Sequence, residues 1–301
     1  MKILFTGASS FTGMWFVKAL KAAGHTVTAT FRRREYSGMR QERIAIVKEH
    51  CDPIWECAFG DEKFIDLLKT GSFDLLCHHG ADVENYRSPD FDYLKAAQNN
   101  THNIKKVLET GIQRVLLTGS VFEPEEGTGS ACAVSPYGLS KGITCEIFRY
   151  WCHILDIQLG KFVIPNPYGP FEEDRFSTYL AKTWLKHAVA EVKTPEYIRD
   201  NIHVELLAKG YALFAWEMAH TTKKFVKKNP SGARGTQGEF TQKLSQEFSK
   251  RWGLPCHFTL CKQTHFFEPL KRTNTHPLDI DWNEAKSFDE LATFYQKRYG
   301  N

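Results

Sequence analysis

Tyr137 and Lys141 stand four residues apart in Ser135-Pro136-Tyr137-Gly138-Leu139-Ser140-Lys141. On a helix that spacing puts both side chains on one face, one turn apart. Ser135 suits the N-cap and Pro136 the first helical position, so the spacing predicts a helix that opens here and runs to about Leu155. A phenol beside an ammonium can work as an acid, because the positive charge favours the phenolate and lowers the tyrosine pKa towards neutrality. An exposed aromatic–cation pair without catalytic meaning has the same spacing. What decides between the two is whether the rest of the chain can bring a cofactor and a reacting oxygen to that helix.

The segments ahead of it read as alternating strands and helices. Residues 2–6 form a short apolar strand, Gly7-Ala8-Ser9-Ser10-Phe11-Thr12-Gly13 a turn, and Met14 to Ala23 a helix. A strand, a glycine turn and a helix N-terminus can together hold a pyrophosphate. Gly7 would make the tight turn and Gly13 would let the helix pack close to the sheet. Ser10 stands where a middle glycine is usual, and its hydroxyl could bond a phosphate. His25 to Phe31 is the second strand, and its end decides the dinucleotide. An acid there would bind the ribose 2′-hydroxyl, but Phe31-Arg32-Arg33-Arg34 follows instead. The absence of the acid and the planar forks of Arg32 and Arg33 favour NADP over NAD. Residues 54–59 are a third strand, then Gly60-Asp61 and a helix from about Glu62 to Lys69, with Asp61 either an adenine contact or an N-cap. Phe73 to His79 is a fourth strand, ending at Gly80-Ala81, where backbone must pass close to a cofactor. Asp90 to Thr110 reads as one long amphipathic helix, Val115 to Thr118 as a fifth strand ending in Gly119-Ser120, and Gln158 to Ile164 as a sixth. This alternation specifies an α/β fold of Rossmann type, a doubly wound parallel sheet with right-handed crossovers. Ligands in such a sheet sit at the carboxyl ends of the strands. Gly7, Arg32, Asp61, Ala81 and Ser120 all fall at those ends. Ser120 lies seventeen residues before Tyr137, so the two meet only through the fold.

The composition is that of an ordinary soluble globular chain, with 42% hydrophobic and 25% charged residues and a net charge of +4. That charge argues against a nucleic-acid partner, and no run of about 18 apolar residues predicts a membrane span. Eight scattered cysteines form no C-x-x-C pair, and no ligand spacing occurs among the histidines, so no metal site is expected. With no secretory segment at the N-terminus, the expected location is cytoplasmic.

Thr6-Gly7-x-x-Ser10-x-x-Gly13, His79-Gly80-Ala81, Thr118-Gly119-Ser120, Tyr137-x-x-x-Lys141, Asn166-Pro167-Tyr168-Gly169-Pro170 and Arg199-Asp200-Asn201-Ile202-His203-Val204 occur in that order. On these motifs the chain resembles the extended short-chain dehydrogenase/reductase family, whose members mostly act on nucleotide sugars. The resemblance implies that Tyr137 is the acid/base, that Lys141 supports it and holds a ribose, and that the Ser120 hydroxyl binds the reacting oxygen. It implies a dinucleotide site of Gly7, Ser9, Ser10, Phe11, Gly13, Arg32, Arg33, Asp61, Gly80, Ala81 and Pro165, with Tyr137 and Lys141. Asn166 and Arg199 would contact the substrate, and Arg272 could reach its diphosphate. Residues 1–165 plus 200–228 would form the dinucleotide domain, and 166–199 plus 229–301 a smaller substrate-binding domain. A homodimer is expected through the helices near Asp90–Thr110 and Tyr137–Leu155.

Departures from the family pattern narrow the chemistry. Ala97 best matches an asparagine usual in the fourth helix, with Asn99, Asn100 and Asn103 nearby. Val121-Phe122 replaces the Asp-Glu pair of 4,6-dehydratases. Phe122 and Phe171 stand where 3,5-epimerase-reductases carry a cysteine and a histidine, and neither can move a proton. The expected activity is therefore reduction, with NADPH, of a keto group on a nucleotide-activated sugar. A nucleotide-sugar 4-epimerase using the same residues, or a non-catalytic dinucleotide sensor, are the alternatives.

Overall fold

A computed structural model describes residues 1–300. Seven strands form one parallel sheet: β1 (Lys2–Thr6), β2 (Thr26–Phe31), β3 (Asp52–Trp55), β4 (Leu75–His78), β5 (Arg114–Ser120), β6 (Gln158–Ile164) and β10 (Phe225–Lys228). Their order across the sheet is β10-β6-β5-β4-β1-β2-β3. The chain reverses direction of growth between β1 and β4, which opens the crevice where a dinucleotide is held in this topology. Helices α1 (Phe11–Ala22), α2 (Gly38–Val47), α3 (Glu62–Gly71), α4 (Tyr93–Asn100), α5 (Ile104–Leu108), α6 (Pro136–Ile154) and α8 (Val204–Ala219) cover the two faces. One apolar cluster joins α1 and α8 to the sheet through Phe16, Phe162 and Tyr211, and another joins α3, α5 and α6 through Phe64, Val107 and Phe148.

The remaining elements gather beyond the carboxyl ends of the strands. They are β7 (Asn166–Tyr168), α7 (Phe176–Leu185), β8 (Ala190–Val192), β9 (Ile198–His203), β11 (Pro230–Ser231), β12 (Ala233–Thr236), α9 (Gln237–Trp252), β13 (Phe258–Leu260), β14 (Lys271–Arg272), β15 (His276–Pro277) and α10 (Glu284–Tyr299). Strand β9 carries β12, β14 and β7 beside it. Helices α7, α9 and α10 bury a third apolar cluster around Trp184, Phe248 and Tyr295.

The parallel sheet and the helix at Pro136 agree with the sequence reading, and three local expectations are corrected. The third strand ends at Trp55 rather than residue 59, because Glu56 takes a left-handed conformation at φ 53°. The long helix over Asp90–Thr110 is two helices, α4 and α5. The polar run Asn99-Asn100-Thr101-His102-Asn103 gives weak helix support, Asn103 is left-handed at φ 50°, and its amide donates to the Gly60 carbonyl at 2.9 Å. Helix α2 has no counterpart in the reading. It is held by the buried Arg43, whose guanidinium donates to the Phe171 carbonyl at 2.6 and 2.9 Å and pairs with Glu173 at 2.6 Å.

Candidate active site

The turn after β1 is built as a cradle. Gly7 has φ 82°, and a Cβ there would lie 2.7 Å from the Gly80 amide nitrogen, so the ends of β1 and β4 touch through glycine backbone. A Cβ on Gly13 would come within 2.2 Å of the Gly7 carbonyl oxygen. Ser10 is the N-cap of α1: its Oγ donates to Gly7 O at 2.8 Å and accepts from Gly13 N at 3.1 Å. The serine hydroxyl thus points into the turn. The first-turn amides of Phe11 and Thr12 are the groups a helix leaves for an anion. The shape and polarity of this turn fit a dinucleotide pyrophosphate.

The adjacent histidines lock the strand ends. His78 Nε2 donates to the Asn100 carbonyl at 3.0 Å, so its Nδ1 accepts from the Thr6 hydroxyl at 3.0 Å. Thr6 Oγ1 in turn accepts from the Gly80 amide at 2.9 Å. His79 bonds Ser10 and Thr12 on α1 and Thr118 on β5, at 3.0, 3.1 and 3.0 Å. Burial drives the His78 pKa down to about 3, which keeps this relay neutral. Asn100, rather than Ala97, is the α4 residue that matters here. It is buried, its Nδ2 reaches Thr144 on α6 at 3.3 Å, and its Oδ1 accepts from Asp82 N at 2.7 Å. The break after α4 is what frees the Asn100 carbonyl for His78.

The turn after Ser120 and the helix that carries Tyr137 meet through backbone contact. Ser135 caps α6, accepting from Gly138 N at 3.2 Å. A Cβ on Gly138 would lie 2.0 Å from the Phe122 carbonyl oxygen, and that oxygen accepts from Val134 N at 2.9 Å. The first turn of α6 therefore rests directly on the turn that follows Ser120. Tyr137 sits in an aromatic box, with ring centroids of Tyr86, Phe91 and Phe122 at 5.2, 6.1 and 6.2 Å.

The electrostatics correct one expectation. Burial raises the Tyr137 pKa, Glu123 and Tyr86 add to the rise, and Arg175 opposes it. The net shift is upward, opposite to the lowering expected from Lys141. Lys141 is itself 5% exposed, and burial pulls its pKa down against the pull of Glu123. Its placement on α6 one turn below Tyr137 suits holding a ribose.

An ion cluster behind Ser120 and the cation of Arg175 escaped the sequence reading. Glu123 is 1% exposed; it accepts from Ser120 N at 2.6 Å and pairs with Lys161 of β6 at 2.7 Å. Lys161 also holds Glu126 at 2.9 Å, and Lys227 and Asn229 complete that carboxylate's shell at 3.1 and 2.7 Å. Glu123 thus fixes the Ser120 amide from behind. Arg175 lies over the Phe11 ring at 5.7 Å, with a buried Nε that has no partner among the described residues. The turn carrying it is pinned to the sheet helices by Arg43 and by Trp15 Nε1, which donates to Pro170 O at 3.2 Å. A half-buried cation placed this way has no signature in sequence, because it needs α1, α2 and this turn to be packed first.

Elsewhere the expected residues are spread along the strand ends. Ser9 and Ala81 are half-buried beside the cradle, Arg32 and Arg33 are exposed at the end of β2, Asp61 is exposed at the N-cap position of α3 without a side-chain capping bond, and Pro165 separates β6 from β7. Asn166 Nδ2 donates to Asn201 Oδ1 at 2.5 Å. Arg199 and Arg272 are buried, and both pair with Glu268. No helix among the described residues is long and apolar enough to cross a membrane.

A family model described as the NAD dependent epimerase/dehydratase family matches residues 3–225. The chain belongs to that family. Its fold is shared by solved structures of low identity. The UDP-glucuronic acid 4-epimerase of Bacillus cereus, solved with UDP-glucuronic acid and NAD, is 17% identical, with a TM-score of 0.75, over 99% of this chain and 100% of that one. A UDP-N-acetylglucosamine 4-epimerase of Methanobrevibacter ruminantium is 16% identical, with a TM-score of 0.75, over 99% and 98%. The dTDP-glucose 4,6-dehydratase of Streptomyces venezuelae is 16% identical, with a TM-score of 0.70, over 100% and 97%. A search of curated proteins returns no match. The enzyme is therefore of the short-chain dehydrogenase/reductase type.

Proposed function

We propose that the enzyme epimerises a single carbon of a nucleotide-activated sugar, by oxidising it to a ketone and reducing that ketone again. The observation that supports this reading is the packing of the first turn of α6, which carries Tyr137, on the turn that follows Ser120, in a chain whose β1 turn is a glycine cradle that fits a dinucleotide. The bound nicotinamide would supply a hydride acceptor and then donor. Tyr137, as the phenolate, would take the hydroxyl proton and, then a phenol, return it when the ketone is reduced; the Ser120 hydroxyl would stabilise the carbonyl oxygen as charge builds. Lys141 and the aromatic box hold the phenol in place and keep water away.

Elimination is disfavoured. Glu123, the acid beside Ser120, is spent on Lys161 and the Ser120 amide. Net keto reduction uses the same residues and is the second reading, supported by the exposed Arg32 and Arg33, which suit a ribose 2′-phosphate and hence NADP. The family's description favours epimerisation over net reduction. Residues 166–199 and 229–301, with their own apolar cluster, are the substrate-binding part in this reading. Tyr93 and Leu94 of α4 and Tyr150 and Ile154 of α6 are exposed on neighbouring helices, which supports a homodimer formed there.

Incubation with UDP-, GDP-, CDP- and dTDP-sugars and either dinucleotide tests the reading. Interconversion of two epimers with no net change in reduced nicotinamide is expected. Stoichiometric consumption of NADPH would replace epimerisation by reduction.

A further inference from the structure

Arg199 and Arg272 are neighbours in the register of β9 and β14, and are 4% and 7% exposed. Burial and repulsion from Arg272 pull the Arg199 pKa down to about 10. Two buried cations side by side call for anions. One oxygen serves both: Glu268 Oε2 lies 3.0 Å from Arg199 Nη2 and 2.8 Å from Arg272 Nη1. Asp200, next to Arg199 in sequence, is engaged elsewhere: it accepts from the amides of Gly232 and Asn274 at 2.7 and 2.9 Å.

Three features mark this carboxylate as replaceable. Its side chain is 47% exposed while its partners are buried, so water and ligands reach it. It leaves the pair of guanidiniums with a residual positive charge. It sits on the segment between β13 and β14, which carries the exposed Phe266 and Phe267 and is held at Phe267 N and Glu268 N by the Tyr197 hydroxyl, at 2.8 and 3.1 Å. The cluster also adjoins the reacting centre: Arg272 lies 4.0 Å above the Phe122 ring, which packs on Tyr137.

We propose that Glu268 is a tethered anion that competes with the ligand, and that the diphosphate of a nucleotide sugar binds by displacing this carboxylate from Arg199 and Arg272. This rests on the nucleotide-sugar reading above. A diphosphate brings more charge and more acceptor oxygens than one carboxylate, so it wins the exchange, whereas a ligand with a single weak anion does not. Glu268 thus selects for ligands by charge.

The test titrates UDP, GDP, CDP and dTDP into the wild type, Glu268→Gln and Arg272→Ala by calorimetry, with thermal melting as the check on folding. The tightest of these nucleotides should bind Glu268→Gln about tenfold more tightly than wild type, because a charged hydrogen-bonding competitor is gone. Arg272→Ala should bind it about tenfold more weakly. Unchanged or weaker binding by Glu268→Gln, with Arg272→Ala still weakened, overturns the tethered anion and leaves the nucleotide-sugar reading standing. Absence of binding by wild type and Glu268→Gln alike, or indifference to Arg272→Ala, overturns both.

Discussion

Replacing Lys161 by methionine removes the centre of the buried ion cluster behind Ser120. The ammonium is 2.7 Å from Glu123 and 2.9 Å from Glu126, and the three side chains are 8%, 1% and 3% exposed. Burial alone would lower the lysine pKa, but Glu123 and Glu126 outweigh it and raise the value. Methionine keeps the length and loses the charge. Glu126 then retains Lys227 and Asn229, while Glu123 retains only the Ser120 amide among the described residues. The substitution therefore strands one buried carboxylate, which costs about 3–5 kcal/mol. Against a total stability of about 5–15 kcal/mol, that is a large share. Urea unfolding of Lys161→Met, Glu123→Gln and the double variant reads it out. The double variant should recover most of the loss, giving a coupling of about 2 kcal/mol or more, because a neutral glutamine has no charge to strand. A Lys161→Met variant within about 1 kcal/mol of wild type, or additive single effects, would refute the assignment.

Two further outcomes follow from the site. Burial depresses His78 to about 3 and His203 to about 4, so both stay neutral in the folded chain while the unfolded chain protonates near pH 6.5. Their contribution is intact above pH 6.5 and is lost as pH falls towards 4 and 3, at about 1.4 kcal/mol per unit and histidine. Urea midpoints should drop from pH 7 to 5 and drop less in His78→Gln; equal slopes would contradict the burial argument. At the dinucleotide end, Arg32→Ala with Arg33→Ala should weaken NADP far more than NAD in calorimetry, and equal weakening would defeat the 2′-phosphate reading.

The sheet and the cradle were legible because they are local. Gly7, Gly13, Ser120 and the Tyr137 helix each close a strand or open a helix, and strand-end position in a parallel sheet is itself a prediction of site position. What escaped depends on non-local packing. Lys161 lies in Gln158-Leu159-Gly160-Lys161-Phe162-Val163-Ile164, a run that reads as apolar strand with one stray charge, and its partners sit at Glu123 and Glu126. The α4–α5 break is set by contact with Gly60, more than forty residues earlier in the chain. The tyrosine pKa went the other way from the expectation because helical spacing describes the neighbour at Lys141 and is silent about Tyr86, Phe91, Phe122 and Glu123. Arg199 and Arg272 were legible as cations, while the carboxylate that occupies them was not.

The central claim is that Tyr137 moves the proton in a dinucleotide site that forms without it. The direct measurement is turnover of a nucleotide sugar by Tyr137→Phe alongside dinucleotide binding by the same variant. Turnover should fall about a hundredfold to ten-thousandfold, the range for a lost general acid/base, while the dinucleotide still binds. Turnover within about tenfold of wild type, with binding intact, would contradict the account.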